Sequence, residues 1–378
     1  MKLSIPKGEL QKGLGRIQSI VEKRNSMPIL ANVLLSAHVG DSKNDDDASL
    51  ELAATDLEVG IRSIQPAHVS KEGDLTVSAK KLYEIVRELP DEDIHLEATA
   101  NSYLSLRCAR AKFTLAGTTA EEYPTLPSFQ PEQTVPVHAA VLSSMIERTM
   151  YSASLDETRY NLNGVYLEVL PDSGKIRMVA TDGHRLAMVD RALGEESSAL
   201  ASGVIIPRKG LSELKRLVDE EDADEIELAF EGNSGLARKG GVTLVMRLIE
   251  GEFPNYDQVV PKRVERHITL PTDGFAQALR RVALLSSERS RAVRIEITDR
   301  QLTISSSNPD VGDASEELDI DFAGDPVSIG FNARYLMDAL TAIHAKEVRL
   351  GLQDDVSPAQ LVPIDDEDTL AVVMPMRI

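Results

Sequence analysis

Six stretches of the chain place apolar residues at helical spacing, and they come in pairs. Leu10, Leu14, Ile17 and Val21 mark the first, and Leu82, Ile85, Val86 and Leu89 the second. Leu142, Met145, Ile146 and Met150 are followed by Leu211, Leu214, Leu217 and Val218, and Phe275, Leu279 and Val282 by Leu336, Ala339, Leu340 and Ile343. Intervals of three and four put each set on one face of a helix, so the pattern predicts six amphipathic helices. Between them apolar and polar residues alternate, as in Tyr103-Leu104-Ser105-Leu106-Arg107, Val165-Tyr166-Leu167-Glu168-Val169 and Val293-Arg294-Ile295-Glu296-Ile297. Period-two runs of this kind predict antiparallel strands with one face in water. Asp182-Gly183 and Asp172-Ser173-Gly174 stand between such runs and read as hairpin turns.

The helix pairs belong to a repeat of about 126 residues, the signature of a multiplied module. Ala54-Thr55-Asp56, Ala180-Thr181-Asp182 and Ser306-Ser307-Asn308 recur at that interval, each after a short alternating strand: Leu50-Glu51-Leu52, Ile176-Arg177-Met178 and Leu302-Thr303-Ile304. A Pro-flanked helical stretch opens each copy, at 6–21, 136–153 and 271–287, and Tyr123-Pro124, Phe253-Pro254 and Met374-Pro375 close them. The expected fold class is therefore α+β, with three similar domains, each carrying two helices on one side of antiparallel sheets. Polar, Pro-containing connections near 129–135 and 263–267 put the domains at 1–131, 132–264 and 265–378. A length of 378 residues also exceeds one comfortable core.

Charge changes the picture only when it is located. The chain carries a formal −20, which counts against a nucleic-acid partner because phosphate binding is driven by Lys and Arg displacing counterions. The acid, however, is concentrated in blocks at 41–47, 91–93, 219–227, 310–321 and 365–368, which read as loops or exposed edges. The six helical stretches together carry +6, leaving −26 to the remainder. Such a division fits helices that face one polyanion, and it equally fits ordinary solvated helix faces. Aromatic residues are only 4% and Trp is absent, which argues against a stacking platform for single strands. Cys108 is the single cysteine, so no internal disulfide forms and a reducing, cytoplasmic setting is expected. Met1-Lys2-Leu3-Ser4-Ile5-Pro6 lacks the apolar centre of a signal peptide, and no apolar run of about 18 residues predicts a membrane span.

The reacting groups of the common enzyme classes are missing. The glycine-rich stretch 232–241 has no Gly-Lys-Ser/Thr and reads as a hairpin, not a phosphate loop. Histidines 38, 68, 95, 138, 184, 267 and 344 have no paired spacing suited to a metal, and no Gly-x-Ser-x-Gly elbow occurs. Asp182 with His184 is the best candidate for a base and its orienting carboxylate, but the turn needs Asp182 and no Ser or Cys nucleophile lies near. The expectation is a protein that acts by shape and binding, with no catalytic residues, no metal and no cofactor.

Ala180-Thr181-Asp182-Gly183-His184-Arg185-Leu186-Ala187, Pro207-Arg208-Lys209-Gly210 and the terminal Val373-Met374-Pro375-Met376-Arg377-Ile378 resemble the bacterial β sliding clamp family, the processivity subunits of DNA polymerase III. Met27-Pro28-Ile29-Leu30, Arg159-Tyr160-Asn161-Leu162-Asn163-Gly164, Phe253-Pro254-Asn255-Tyr256 and Gly330-Phe331-Asn332-Ala333-Arg334-Tyr335 extend the match over essentially the whole chain. The resemblance implies the DNA clamp fold: a head-to-tail homodimer in which six similar domains form a ring, sheets outside, helices lining a hole around double-stranded DNA. Such a ring holds DNA by topology and needs only weak, non-specific phosphate contacts.

By the same resemblance Arg24, Lys80, Lys81, Arg208 and Lys209 face DNA, joined by Tyr160, although Asn161 stands where some relatives have a second tyrosine. A short peptide of glutamine, leucine and other apolar residues, carried by the replicative polymerase, the clamp loader, other polymerases and repair proteins, is implied to enter a pocket of the second and third domains. Its matching positions are Leu162, Thr181, Gly183, His184, Arg185, Leu186, Pro254, Val259, Asn332, Tyr335, Val372, Met374, Pro375, Met376 and Arg377. Taken alone, Leu162, Leu186 and Val372 read as core; the largely apolar chain end at Met374 to Arg377 does not, since termini are usually polar and fray. Pliable Met side chains suit a site that serves several partners. Gln258 and Pro358 depart from the family at the pocket rim, and the insert Asp41-Ser42-Lys43-Asn44-Asp45-Asp46-Asp47-Ala48 has no counterpart. The dimer contact is implied to join Phe113 and Leu115 of one chain to Leu284 and Leu285 of the other, residues that plain core packing would also explain. Two rival readings stay open at this point: an enzyme using Asp182 and His184, and a scaffold that binds protein only.

Overall fold

The structure, a computed structural model, describes residues 1–21, 27–40, 48–124, 134–194, 199–200, 203–220 and 223–377. Among them are six α-helices at the six expected places: α1 (Lys7–Ile17), α2 (Ala79–Glu88), α3 (Ala139–Met150), α4 (Arg208–Val218), α5 (Thr272–Val282) and α6 (Ala333–Ile343). Their apolar stripes are buried, as the spacing requires: Leu10, Leu14 and Ile17 on α1, Phe275, Leu279 and Val282 on α5, Leu336, Leu340 and Ile343 on α6. The helices opening the copies are shorter than the expected stretches. Pro6, Pro136 and Pro271 belong to the preceding strands Lys2–Pro6, Val135–His138 and Arg266–Pro271. A proline fits a strand end, as at Pro6 and Pro271, or an outermost strand, as at Pro136, because its missing N–H need break no ladder there. None of the helices described is long and apolar enough to cross a membrane.

The chain divides into two compact units, Met1–Val137 with Ser212–Leu248, and His138–Leu211 with Ile249–Ile378. The sheets cut across the repeat seen in the sequence. In the first unit a sheet of 13 strands includes the hairpin Ser49–Thr55 and Val59–Pro66 from the first copy, and Val59–Pro66 pairs antiparallel with Val242–Arg247 from the end of the second. In the second unit a sheet of eight strands runs Val204–Pro207, Gly164–Val169, Ile176–Thr181, Arg185–Arg191, Thr369–Val373, Ala359–Pro363, Glu347–Leu352, Arg266–Pro271. Here Arg185–Arg191 of the second copy pairs with Thr369–Val373 of the third. A further sheet of four strands, ordered Gly312–Asp319, Gln301–Asn308, Ala292–Thr298, Val327–Asn332, shares a core with α5 and α6 around Phe275, Ile295, Phe331 and Leu350. The glycine-rich stretch 232–241 is one strand, Ser234–Lys239, with a two-residue turn at each end.

The recurring Thr-Asp landmark is a turn, built twice from the same bonds. Thr55 Oγ1 donates to the Val59 carbonyl (2.9 Å) and accepts from the Leu57 amide (3.0 Å), while Asp56 Oδ1 accepts from the Glu58 and Val59 amides (2.9 and 2.7 Å). In the second copy Thr181 Oγ1 donates to the Arg185 carbonyl (2.7 Å) and accepts from the Gly183 amide (3.1 Å). Asp182 Oδ1 accepts from the His184 and Arg185 amides (2.9 and 3.0 Å). Short hydroxyl and carboxylate side chains can satisfy turn amides this way, which explains why the motif recurs. In the third copy Asn308 Oδ1 accepts only from the Asp310 amide, at 3.1 Å, among the bonds described.

One acid block proves to be partly internal. In the loop at 365–368, read from sequence as exposed, Asp366 Oδ2 receives Arg148 Nη1 (2.7 Å), Arg191 Nη2 and the Thr369 hydroxyl (2.7 Å). Arg148 ends α3 and Arg191 ends its strand, so the clasp ties the third copy to the second within one unit. Burial pushes the Asp366 carboxyl up, but the Thr369 hydroxyl and the two guanidiniums outweigh it and hold it below the ordinary carboxylate range. A carboxyl with a depressed folded-state pKa stabilises fully above its unfolded value, near 4, and loses that contribution as pH falls through the folded value. Asp366→Ala should therefore lower stability by about 2 kcal/mol at neutral pH, discounted for partial exposure. In urea melts recorded against pH, the gap between variant and wild type should close only below about pH 4.

Candidate functional site

Most of the expected peptide-pocket residues come together in the second unit around the turn Thr181–Arg185. Beyond Val373 the chain continues the strand pairing: the Met374 amide donates to the His184 carbonyl (2.9 Å) and the Met376 amide to the Gly330 carbonyl (2.8 Å). Met374, Pro375 and Met376 are thereby held as an ordered, half-buried edge, with Arg377 exposed. The first unit repeats the arrangement, with the Arg247 amide donating to the Glu58 carbonyl at 2.8 Å. Gly183 takes φ +87°, a conformation that costs any residue with a Cβ, while the corresponding residue of the first copy is Leu57, at φ 80°.

Asp182 and His184 do not form a base and its orienting carboxylate. Both Asp182 oxygens are engaged, Oδ1 by the turn amides and Oδ2 by Arg185 Nε (3.0 Å), and the His184 ring stacks on Tyr335 with centroids 6.3 Å apart. Asn332 is engaged as well, its side chain capping α6 by accepting from the Arg334 amide at 2.9 Å.

Leu186 and Val372 lie side by side in register on neighbouring strands and are 1% and 2% exposed. They belong to a small apolar cluster with Val179 and Tyr256, packed by Phe253, Met188 and Leu370. Tyr166 and Phe253 stack at 5.0 Å, and Arg177, held bidentate by Asp190 (2.7 Å to each oxygen), also donates to the Tyr256 hydroxyl at 3.3 Å. Burial first, with Glu168 alongside, pushes the Tyr256 phenol above its ordinary range. Leu186, Val372 and the 7% exposed Leu162 are thus buried, whereas Pro254, Gly183, His184 and the 43% exposed Val259 are open at the surface. The sequence reading did not assign Tyr256 or Phe253 a role, although both fall in the Phe-Pro-Asn-Tyr stretch it singled out.

The expected DNA-facing residues divide between the units. Lys80 and Lys81 are exposed on α2 and lie 3.7 and 2.9 Å from Glu84, whose carboxyl is held low chiefly by the Lys81 hydrogen bond. In the second unit Tyr160 is 60% exposed, and Asn163 links it to the start of α4, its amide donating to the Tyr160 carbonyl while its carbonyl accepts from the Arg208 amide. Lys209 follows in the first turn of α4. Arg24 lies outside the described residues, as does the insert at 41–47.

Of the expected dimer residues, Phe113 and Leu115 lie on Ala111–Thr118, which pairs with Tyr103–Cys108 along its length but with Gly73–Ser78 only at Gly117 and Thr118. Leu284 is 77% exposed in the turn after α5, next to Leu285. Gly312–Asp319, part of the acid block at 310–321, is an edge strand of the four-stranded sheet and packs by that turn. Its own side chains were not singled out in the sequence, because alternation of acid with small residues gives a weak strand signal.

Three family models match in order: the DNA polymerase III beta subunit N-terminal domain at 1–127, its central domain at 136–255 and its C-terminal domain at 257–377. The chain belongs to the DNA polymerase III beta subunit family. It is 37% identical to the beta sliding clamp of Caulobacter vibrioides over 382 residues and 34% identical to that of Escherichia coli K12 over 383, with the whole of both chains covered each time. Among solved structures, a Caulobacter crescentus beta sliding clamp superposes with a TM-score of 0.93 at 36% identity, and a Pseudomonas aeruginosa clamp bound to griselimycin with 0.92 at 33%, each over 100% of both chains. The chain is accordingly a sliding clamp of α+β fold, a non-catalytic processivity subunit that works in DNA replication with DNA and polymerase as its partners.

Backbone conformation at the turn gives opposite expectations for the two copies. Gly183→Ala should cost about 1 kcal/mol in thermal melts, whereas Leu57→Gly should cost nothing because it releases a strained φ.

Proposed function

We propose that the chain closes a head-to-tail dimeric ring around duplex DNA and offers partner proteins a peptide pocket on its second unit. The domains are 1–131, 132–264 and 265–378. The observation that carries the reading is the ordered C-terminal edge at Met374 to Met376, clamped between the His184 and Gly330 carbonyls beside an exposed glycine turn. An apolar edge of this kind, with a few polar groups around it, suits an extended peptide. The pocket comprises Leu162, Thr181, Gly183, His184, Arg185, Leu186, Pro254, Val259, Asn332, Tyr335, Val372 and Met374 to Arg377. Its ligands are the glutamine- and leucine-containing segments of the replicative polymerase, the clamp loader, and other polymerases and repair proteins. Griselimycin, bound by the Pseudomonas aeruginosa relative, is a candidate ligand of this chain too.

Arg24, Lys80, Lys81, Tyr160, Arg208 and Lys209 face the duplex. Pairing of Lys80 and Lys81 with Glu84 suits this task, because a ring that must slide is served by weak phosphate contacts. The dimer joins Phe113 and Leu115 to Leu284 and Leu285. Lys112, beside Phe113 on one strand, and the exposed Asp313 and Glu317 on the edge strand Gly312–Asp319 give the two surfaces opposite charge, Glu316 being paired with Arg281. The setting is the cytoplasm.

Loaded onto a nicked circular plasmid, the protein should co-elute with DNA in gel filtration and be released when the plasmid is linearised; equal retention on linear DNA would exclude encirclement. His184→Ala should keep plasmid retention and weaken partner-peptide binding by roughly tenfold. Sedimentation should give a dimer at micromolar concentration.

A further inference from the structure

One guanidinium in the second unit joins the peptide-side turn to the helices. Arg185 Nε meets Asp182 Oδ2 at 3.0 Å and its Nη1 meets Asp338 Oδ2, on α6, at 2.6 Å. Its carbon lies 4.6 Å from the Tyr335 ring centre and 5.4 Å from that of Tyr151, which follows α3. The side chain is only 10% exposed, and burial pushes the Tyr151 phenol up to about 12. A cleft of about 420 Å³ has Arg185 in its lining together with Tyr151, Arg208, Arg334, Asp338 and His344. Arg334 Nε stands 3.7 Å from the same Asp338 oxygen.

The first copy shows what the turn needs in order to fold. There Thr55 and Asp56 make the same backbone bonds, and Val59 occupies the place of Arg185. The turn therefore forms without an arginine or a second carboxylate; the ring beside it is that of Tyr123, whose hydroxyl accepts from the Thr55 amide at 3.2 Å. The network around Arg185 is an addition at the one of the two turns that lies against the C-terminal edge Met374 to Met376. Bonds to its backbone show what it holds: the Arg185 carbonyl accepts from Thr181, its amide donates to Asp182, and it pairs in register with Val373.

We propose that Asp338 and Tyr151 are positioning residues of the peptide site, acting through Arg185 to fix the Thr181–Arg185 turn and the His184 ring against the C-terminal edge. The inference rests on the peptide-site reading above. Being covered, Arg185 transmits through backbone position, and pre-organisation of the turn is what the peptide gains. Only a guanidinium serves here, because its planar fork reaches two carboxylates while its faces stack on rings. Tyr335 works on both sides of the network, stacking on His184 as well as on Arg185.

The test is fluorescence anisotropy of a short labelled peptide with an N-terminal glutamine followed by leucine and apolar residues, against wild type, Asp338→Asn, Asp338→Glu, Tyr151→Leu and Tyr151→Phe. Plasmid retention and thermal melting run in parallel. Asp338→Asn and Tyr151→Leu should each weaken binding by roughly tenfold with plasmid retention kept. Asp338→Glu and Tyr151→Phe, which restore the carboxylate and the ring, should bind as wild type does. Tyr151→Leu leaves both ion pairs in place, so it decides the matter should Asp338→Asn fail to fold. Wild type that binds the peptide alongside variants that bind equally well overturns the proposal alone. Wild type that takes no peptide overturns the site reading and the proposal together.

Discussion

Backbone pairing between strands of different repeats is the constraint from which the site follows. Strand edges carry unpaired N–H and C=O groups that must find partners. In the second unit the edge of Arg185–Arg191 is completed by Thr369–Val373, and the pairing runs on to the His184 carbonyl and the Met374 amide. The segment Met374 to Met376 is thereby fixed beside the turn Thr181–Arg185, far away in the chain. The same solution recurs in the first unit, where Val59–Pro66 is completed by Val242–Arg247.

Repetition of one turn shows how a common scaffold acquires separate duties. Thr and Asp side chains close both turns, leaving the two residues that follow and the first residue of the next strand free to differ. The first copy places Leu57, Glu58 and Val59 there, and the second Gly183, His184 and Arg185. Glycine removes strain and exposes backbone, histidine stacks on Tyr335, and arginine is gathered in by two carboxylates and two rings. The turn chemistry is thus common to both copies, and these ring and ion-pair contacts are added at the second.

Charge is used differently on different elements. On α2 the lysines share Glu84, so the helix presents cations that are already partly satisfied. In the loop at 365–368 Asp366 alone is drawn inward by Arg148 and Arg191, while acid on Gly312–Asp319 lines a sheet edge, where charge deters unwanted strand addition. A formal −20 therefore describes neither surface well.

Helices, alternating strands and the Thr-Asp turn were legible because their signals are local: intervals of three and four, intervals of two, and side chains that bond amides two or three residues away. The repeat gave three modules, and the terminal Met-Pro-Met-Arg stretch pointed to the family. Nothing local could show that Val59–Pro66 and Val242–Arg247 would share a sheet, that Asp366 would gather Arg148 and Arg191, or that Arg185 would turn away from solvent toward Asp338 and Tyr151. Those contacts join residues far apart in the chain, and many pairings of similar charges and similar apolar strands satisfy the same periodicity. Sequence determined which elements form and which face of each is apolar; the tertiary structure chose the partners, because only packing decides which buried polar groups meet.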